Sequence, residues 1–368
     1  MKEKKDKKPK KGSKSTIGQQ KPSVINPNAL SLSTKSQRRP QTADEYIKGI
    51  QSGNRVILSQ AITLIESTRS EDQALANIIV EAALPLAKES AIRIGITGSP
   101  GVGKSTFIEA FGKMLIAQNR KPAVLAIDPS SQQTKGSILG DKTRMHGLSQ
   151  LKTAFIRPSP AGSSLGGVAK KTRETIILCE AAGFDTIIVE TVGVGQSEIA
   201  VHSMVDFFLL LLLPGAGDEL QGMKRGIVEM ADMIAVNKSD GDRQTLAKQT
   251  KQAYKNALHL LPLKESGWSP PVLSCSALES EGIDEIWTAI GQYYQESQSN
   301  GFLQARRKEQ ARYWLNESID HYLHQSFFEN PAVKGAFDQI EKNLMAGQIT
   351  SFEAARQLIT IFKHKKDN

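Results

Sequence analysis

The chain has 368 residues, enough for one large domain or two ordinary ones with a full core. Hydrophobic residues make up 39% and charged residues 23%, a globular balance that excludes a fibrous or wholly disordered chain. No apolar run approaches the ~20 residues of a membrane span, and the two cysteines, Cys179 and Cys275, exclude a disulfide framework or four-thiolate zinc site and fit a reducing, cytoplasmic compartment.

The net charge of +9 is located in the first forty residues, where ten Lys and two Arg stand against Glu3 and Asp6. The remainder sums to −1, so the basicity belongs to a tail and predicts no nucleic-acid partner. Residues 1–40, rich in Lys, Ser, Pro and Gln, cannot offset their ordering entropy and are expected to be disordered. They lack the apolar segment of a signal peptide, and their early acids and shortage of Arg argue against a transit peptide.

Residues 41–90 read as an N-terminal helical extension. Thr42 with Glu45, and Ser70 with Gln73, have capping-box spacing. Ile57, Leu58, Ala61, Ile62 and Ile65 form one helical stripe; Leu75, Ile78, Ile79 and Ala82 form another. From 91 to 300, short β-branched runs alternate with helical stretches. Strands are expected at Ile92–Thr97, Ala123–Ile127, Thr153–Ile156, Thr186–Val189, Phe207–Leu213, Met233–Val236 and Val272–Ser274. Runs of this kind, buried on both faces, predict an α/β fold with a mostly parallel sheet covered by helices. Residues 301–368 hold a third region, purely helical: Trp314, Leu315, Ile319, Leu323 and Phe327 in one stripe, then Val333, Phe337, Ile340 and Leu344. Gly347 can end that helix, and Thr350 with Glu353 can start a last one carrying Leu358, Ile359 and Phe362.

The chemistry is concentrated at strand ends. Gly98, Ser99, Pro100, Gly101, Val102, Gly103, Lys104 and Ser105 spell the G-x-x-x-x-G-K-[ST] phosphate loop of a P-loop NTPase, between an expected strand and an expected helix at Phe107–Ala117, with Thr106 at the junction. Its glycines let backbone amides wrap phosphate oxygens. Lys104 would neutralise the β- and γ-phosphates, and Ser105 would offer its hydroxyl to Mg²⁺.

The base is read from Asn237-Lys238-Ser239-Asp240. A carboxylate at Asp240 can accept from both N1–H and N2–H₂ of guanine, a pair that adenine lacks, so GTP or GDP is the expected ligand. Ser274-Cys-Ser-Ala-Leu278 ends the next strand and could present the Ser276 and Ala277 amides to guanine O6. Glu190-Thr-Val-Gly193 follows the strand before the mobile-looking Val194–Glu198; Glu190 could hold Mg²⁺ through water and the Gly193 amide could meet the γ-phosphate. No Gln follows Gly193 directly, although Gln196 could substitute, and slow intrinsic hydrolysis is expected. Asp128 ends the second strand and could contact Mg²⁺ or the attacking water, with Asp141 a second metal candidate and Arg144 a possible charge in cis.

The strings Ala126–Ser131, Gly136–Met145, Glu190–Glu198 and Pro214–Gly222 resemble the MeaB/ArgK family, GTPases associated with methylmalonyl-CoA mutase. The resemblance runs from about Thr42 to Lys363. It implies a SIMIBI/G3E-type P-loop fold with helical extensions at both ends, and a GTP-hydrolysing chaperone that gates adenosylcobalamin loading and protects an acyl-CoA mutase. It also implies a homodimer built through the C-terminal helices, and a further switch loop at Gly215–Lys224 that contacts the mutase. On the family pattern Lys104, Ser105, Asp128, Asp141 and Glu190 serve phosphate and Mg²⁺, while Asn237, Lys238, Asp240 and Ser276, Ala277 and Leu278 hold guanine. Two alternatives share the superfamily or the older label: a metallochaperone GTPase, and a kinase linked to lysine-arginine-ornithine transport. The first would use a Cys- or His-based motif, but Cys179 and Cys275 read as structural and only His321 and His324 fall close together. A partition ATPase would need a lysine where Ser99 and Pro100 stand.

Overall fold

The computed structural model describes residues 41–87, 90–127, 145–158, 165–191, 197–216 and 225–364. The tail 1–40 lies outside them, as do Asp128, Asp141, Arg144, Gly193, Gln196 and all of Gly215–Lys224 except Gly215 and Ala216.

Among the described residues, seven parallel strands form one sheet: β1 (Ile92–Gly98), β2 (Pro122–Ile127), β3 (Phe155–Arg157), β4 (Thr186–Thr191), β5 (Phe207–Leu212), β6 (Met233–Val236) and β7 (Val272–Ser274). Their order is β3-β2-β4-β1-β5-β6-β7. Every residue of β2, β4, β5 and β6 is buried, which is why β2, β5 and β6 read as unbroken apolar runs without polar alternation. Successive side chains supply opposite cores: Phe208, Leu210 and Leu212 one face, Phe207, Leu209 and Leu211 the other. All seven expected strands are present. The third is displaced to Phe155–Arg157, and the fourth runs on through Glu190 and Thr191, so Glu190 ends a strand and does not follow it.

The helices are α1 (Ala43–Gln51), α2 (Arg55–Glu66), α3 (Ser70–Ala83), α4 (Lys104–Ala117), α5 (His146–Gln150), α6 (Leu165–Ala181), α7 (Ser197–His202), α8 (Arg225–Met230), α9 (Gln244–His259), α10 (Ile283–Ser299), α11 (Phe302–Glu329), α12 (Pro331–Met345) and α13 (Ser351–His364). The N-terminal helices share a core with the sheet: Ile50, Leu58, Ile62 and Ile79 belong to the cluster that contains Leu125, Ile187 and Val189. In α2 the expected stripe is buried as Leu58, Ala61, Ile62 and Ile65. In α3 the buried face is Ala76, Ile79 and Ala83, with Ile78 55% exposed and Ala82 exposed, so the expected stripe is rotated.

The capping reading also shifts. Ser70 is the first helical residue of α3, and it is Ser67 whose hydroxyl accepts from the Arg69 amide and donates to Asp72, while the Gln73 amide reaches back to the Ser67 carbonyl. The N-cap position is Arg69, which gives no side-chain cap, and Ser67 pins the turn ahead of it. At α2 the cap is Asn54, whose Oδ1 accepts from the amides of Val56 and Ile57 at 3.0 and 3.3 Å. Asn54→Ala should lower the stability of the fold by about 1 kcal/mol, read by urea denaturation; an unchanged midpoint would show that α2 is held by packing alone. The Thr350 hydroxyl caps Glu353 as expected, at 3.2 Å.

The root of α11 is packed, with Leu303 and Trp314 buried. Beyond it the expected stripe is largely uncovered: Leu315, Ile319 and Leu323 are 61%, 46% and 59% exposed, and Phe327 joins a separate small cluster with Val333, Ile340, Ala354 and Leu358. Two shorter helices alone cannot cover a 28-residue helix along its length.

Candidate functional site

The carboxyl ends of β1, β4, β6 and β7 converge on the phosphate loop, the position where open parallel sheets bind ligands. Val102 is fully buried and anchors the loop, while Pro100, Gly101 and Thr106 are exposed. Gly103 has φ +94°, and a Cβ there would stand 2.9 Å from Asn237 Nδ2, so the residue is barred from carrying a side chain on two counts. From there α4 starts at Lys104, with its first amides directed at the loop.

Lys104 Nζ donates to the Gly98 carbonyl at 2.7 Å and, more weakly, to that of Ser99 at 3.4 Å. Burial pulls its pKa below the ordinary lysine value, opposed by the nearby carboxylates Glu190 and Glu198. Ser105 Oγ donates to Glu190 Oε1 at 3.3 Å, which brings together two residues 85 positions apart in the chain. A hydroxyl and a carboxylate at this spacing, beside a phosphate loop, are the hard oxygen donors that Mg²⁺ takes. The Thr191 hydroxyl donates to that of Thr97 at 2.9 Å and ties the strand ends under the loop.

The base-reading loops are braced against the phosphate loop. Asn237 is buried; its amide donates to the Val102 carbonyl at 2.9 Å and its Oδ1 accepts from the Ala277 amide at 3.0 Å. Lys238, at φ +56°, reaches across to the Gly101 carbonyl at 2.7 Å. A non-glycine residue at positive φ is held there by its surroundings, a strain typical of functional loops. Asp240 accepts from the Ser276 hydroxyl at Oδ2 (2.6 Å) and from Arg243 at Oδ1 (2.7 Å). The Ser276 hydrogen bond is the main reason that its carboxyl titrates below the usual aspartate range, and Arg243 adds to it.

Asn237 holds loops together through both ends of its amide. The Ser276 and Ala277 amides, expected at guanine O6, are engaged by the Glu281 carbonyl and by Asn237 Oδ1. The loop therefore acts on Asp240 through the Ser276 hydroxyl, and Leu278 is exposed at its tip. Two residues escaped the sequence reading. Arg243 was signalled only by an i+3 spacing from Asp240, and Glu198, fully buried, by nothing local.

Other groups are less suited to chemistry. Cys179 and Cys275 are buried, and burial raises both thiols, that of Cys275 to about 12, so neither offers a thiolate. A cleft of about 450 Å³ between α3, α6 and α11 includes Lys170, His321, Tyr322 and His324, with the acids Glu174 and Glu329 beside them. Among the described residues no group of three His, Cys, Asp or Glu could hold a metal ion.

The sequence model of the family described as methylmalonyl Co-A mutase-associated GTPase MeaB matches residues 58–332, which is most of the chain and includes every described site element. The chain belongs to the MeaB family. It is thus a member of a GTPase family with a P-loop fold. GTPase ArgK of Escherichia coli K12 is 48% identical over 289 residues, 78% of this chain and 87% of that protein. The mitochondrial methylmalonic aciduria type A homolog of Mus musculus is 43% identical over 343 residues, 91% of this chain and 82% of that protein. Among solved structures, an LAO/AO transport system kinase superposes with a TM-score of 0.67 at 38% identity, covering 93% of this chain and all of that one. No helix among the described residues of this MeaB-family chain is long and apolar enough to cross a membrane.

Proposed function

We propose that this MeaB-family protein binds GTP with Mg²⁺, hydrolyses it slowly, and uses the cycle to gate adenosylcobalamin loading and protection of methylmalonyl-CoA mutase or a related acyl-CoA mutase. The observation that carries the nucleotide reading is the Asp240 carboxylate, set in place by Ser276 and Arg243 in a loop that Asn237 and Lys238 brace onto the phosphate loop. A carboxylate so fixed accepts the paired donors of guanine without first being ordered. The mutase reading rests on the family description and on the Mus musculus relative.

Lys104 would exchange the Gly98 carbonyl for the β- and γ-phosphate oxygens, an ion–ion contact that outweighs the ion–dipole bond it replaces. Ser105 and Glu190, with Asp128 and Asp141 from the family pattern, would hold Mg²⁺, which supplies charge neutralisation at the transferred phosphoryl group. The Gly193 amide would meet the γ-phosphate, and the loops around Asp128–Asp141, Gly193–Glu198 and Gly215–Lys224 would respond to it.

The exposed apolar residues Tyr313, Leu315, Ile319 and Leu323 of α11 support a homodimer through the C-terminal helices, since such a patch marks an interaction surface. Assembly is proposed to occur in the cytoplasm.

Hydrolysis of GTP and ATP by the purified chain, with and without the mutase of the same organism, tests the reading. The expected result is slow GTP-specific turnover that the mutase accelerates. GTP turnover indifferent to the mutase would remove the partner but keep the G-protein assignment; equal ATP and GTP turnover would overturn the role of Asp240.

A further inference from the structure

The short helix α7 touches two parts of the molecule, around Gly95–Lys104 and around Arg306–Trp314, each about a hundred residues from it in the chain. Ser197, Glu198, Ala200 and Val201 are buried, and Glu198 is fully so. The charge of the Glu198 carboxylate, after that of Glu190, opposes the burial that lowers the Lys104 pKa, so it is felt at the phosphate loop. The last turn of the helix lies on β1 at Gly95, where a Cβ would come within 2.8 Å of both Val201 and Phe208. Only glycine permits so close an approach, so α7 sits directly on the strand that leads into the phosphate loop.

The far end of α7 is gripped by α11. Arg306 Nη2 pairs with His202 Nε2 at 3.0 Å, and the His202 ring stands edge-on to Phe208. Gln310 Nε2 donates to the Val205 carbonyl at 2.7 Å and reaches that of His202 at 3.4 Å. The Trp314 indole N–H donates to the Ser203 carbonyl at 3.0 Å. Arg306, Gln310 and Trp314 follow at i, i+4 and i+8, so one face of α11 reads the end of α7 turn by turn. Ser203 and Val205 lie in the turn that follows α7, and α11 side chains supply donors to the carbonyls of that turn. Past Trp314 the same helix emerges to carry α12, α13 and the uncovered apolar face.

We propose that α7 couples the phosphate site to the C-terminal helices, with Gln310 and Trp314 as the positioning residues that transmit its movement to α11; this rests on the nucleotide reading above. A γ-phosphate at Lys104 brings negative charge toward the buried Glu198 carboxylate, and a packed helix relieves that repulsion by shifting as a body, because close-packed cores have discrete arrangements. Three side-chain contacts to backbone and ring atoms of the α7 terminus then move the root of α11 with it. By linkage, whatever binds the far part of α11 changes the affinity for the γ-phosphate by the same factor.

Hydrogen exchange of the full chain, loaded with GDP or with a non-hydrolysable GTP analogue, tests this. Backbone amides of residues 302–329 should exchange about tenfold differently in the two states, a coupling within the usual allosteric range. Gln310→Met, which keeps the packing and loses the donor, and Trp314→Phe, which keeps a ring and loses the N–H, should each remove most of that difference. Both should bind either nucleotide within twofold of the parent by calorimetry. A purely structural role would lower the melting temperature and leave the difference between the two nucleotide states intact, which overturns the proposal. Equal exchange in both states of the parent chain also overturns it. Failure of the parent to bind either nucleotide would instead overturn the nucleotide reading on which it rests.

Discussion

Asp240→Asn should lower GTP affinity by about a hundredfold or more and give the protein a preference for xanthosine triphosphate. In the parent chain the two carboxylate oxygens retain lone pairs beyond those used by Ser276 and Arg243, and both can accept from guanine. An amide at the same place turns one acceptor into a donor that faces the guanine N2–H₂ donor. Two charge-assisted bonds are lost, and an unpaired donor is left against the base. Xanthine carries a carbonyl where guanine carries the amino group, so the new donor finds an acceptor. The phosphate loop should be unaffected, because its braces are Asn237 and Lys238. Calorimetry with the two triphosphates measures the effect. GTP affinity within threefold of the parent would mean that Asp240 does not read the base.

The largest stability effect is expected on the opposite side of the sheet, at the amino ends of the strands. Asp206 is fully buried and accepts from Arg307 Nε and Nη2 at 2.8 and 2.7 Å, from the Tyr294 hydroxyl, and from the Arg93 amide at 3.1 Å. Arg93 in turn pairs with the buried Glu180, and Asp232 is held by Lys264 and Arg306. Arg307→Met should destabilise the fold by about 3–5 kcal/mol, because the carboxylate stays buried without its cation. Asp206→Leu combined with Arg307→Met should recover part of that loss, since no lone charge then remains. Urea denaturation of the two variants separates them; equal losses would show that the pair contributes packing and no charge compensation.

The same region sets the response to acid. Burial, then the charge of Arg306, depresses the His202 pKa to about 4, against an unfolded value of ~6.5. Between those values the unfolded chain binds the extra proton, so stability is complete above pH ~6.5 and declines as pH falls toward the folded value. For Asp206, burial alone would raise the pKa, but the hydrogen bonds and charge of Arg307, with Arg93, more than reverse this and hold it below the ordinary aspartate value. Its contribution is present above the unfolded pKa of ~3.9 and is lost only as pH drops through the still lower folded one. The melting temperature should therefore fall in two stages on acidification. His202→Gln should flatten the first and leave the second, and a parent profile flat from pH 7 to 4.5 would contradict the buried, neutral state of His202.

Much of this protein is legible along the chain. Buried parallel strands must be apolar on both faces, so Met233–Val236 and Val272–Ser274 are delimited by composition alone, and the phosphate loop and Asp240 announce themselves because a tight backbone wrap and a base-reading carboxylate each need particular residues at fixed local spacing. Where two local solutions compete, the sequence is ambiguous: Ile78 and Ile79 could each face inward, until packing against α2 and α6 chooses. What only the tertiary structure decided are the pairings between distant segments. Ser105 meets Glu190, Asn237 takes the Ala277 amide that was expected at the base, Arg307 neutralises Asp206, and Gln310 and Trp314 close the end of α7. Local spacing determines backbone conformation because sterics and hydrogen bonds act between near neighbours. A buried charge or an orphan carbonyl, by contrast, is satisfied by whichever donor the sheet order brings to it, and that order is a property of the folded chain as a whole.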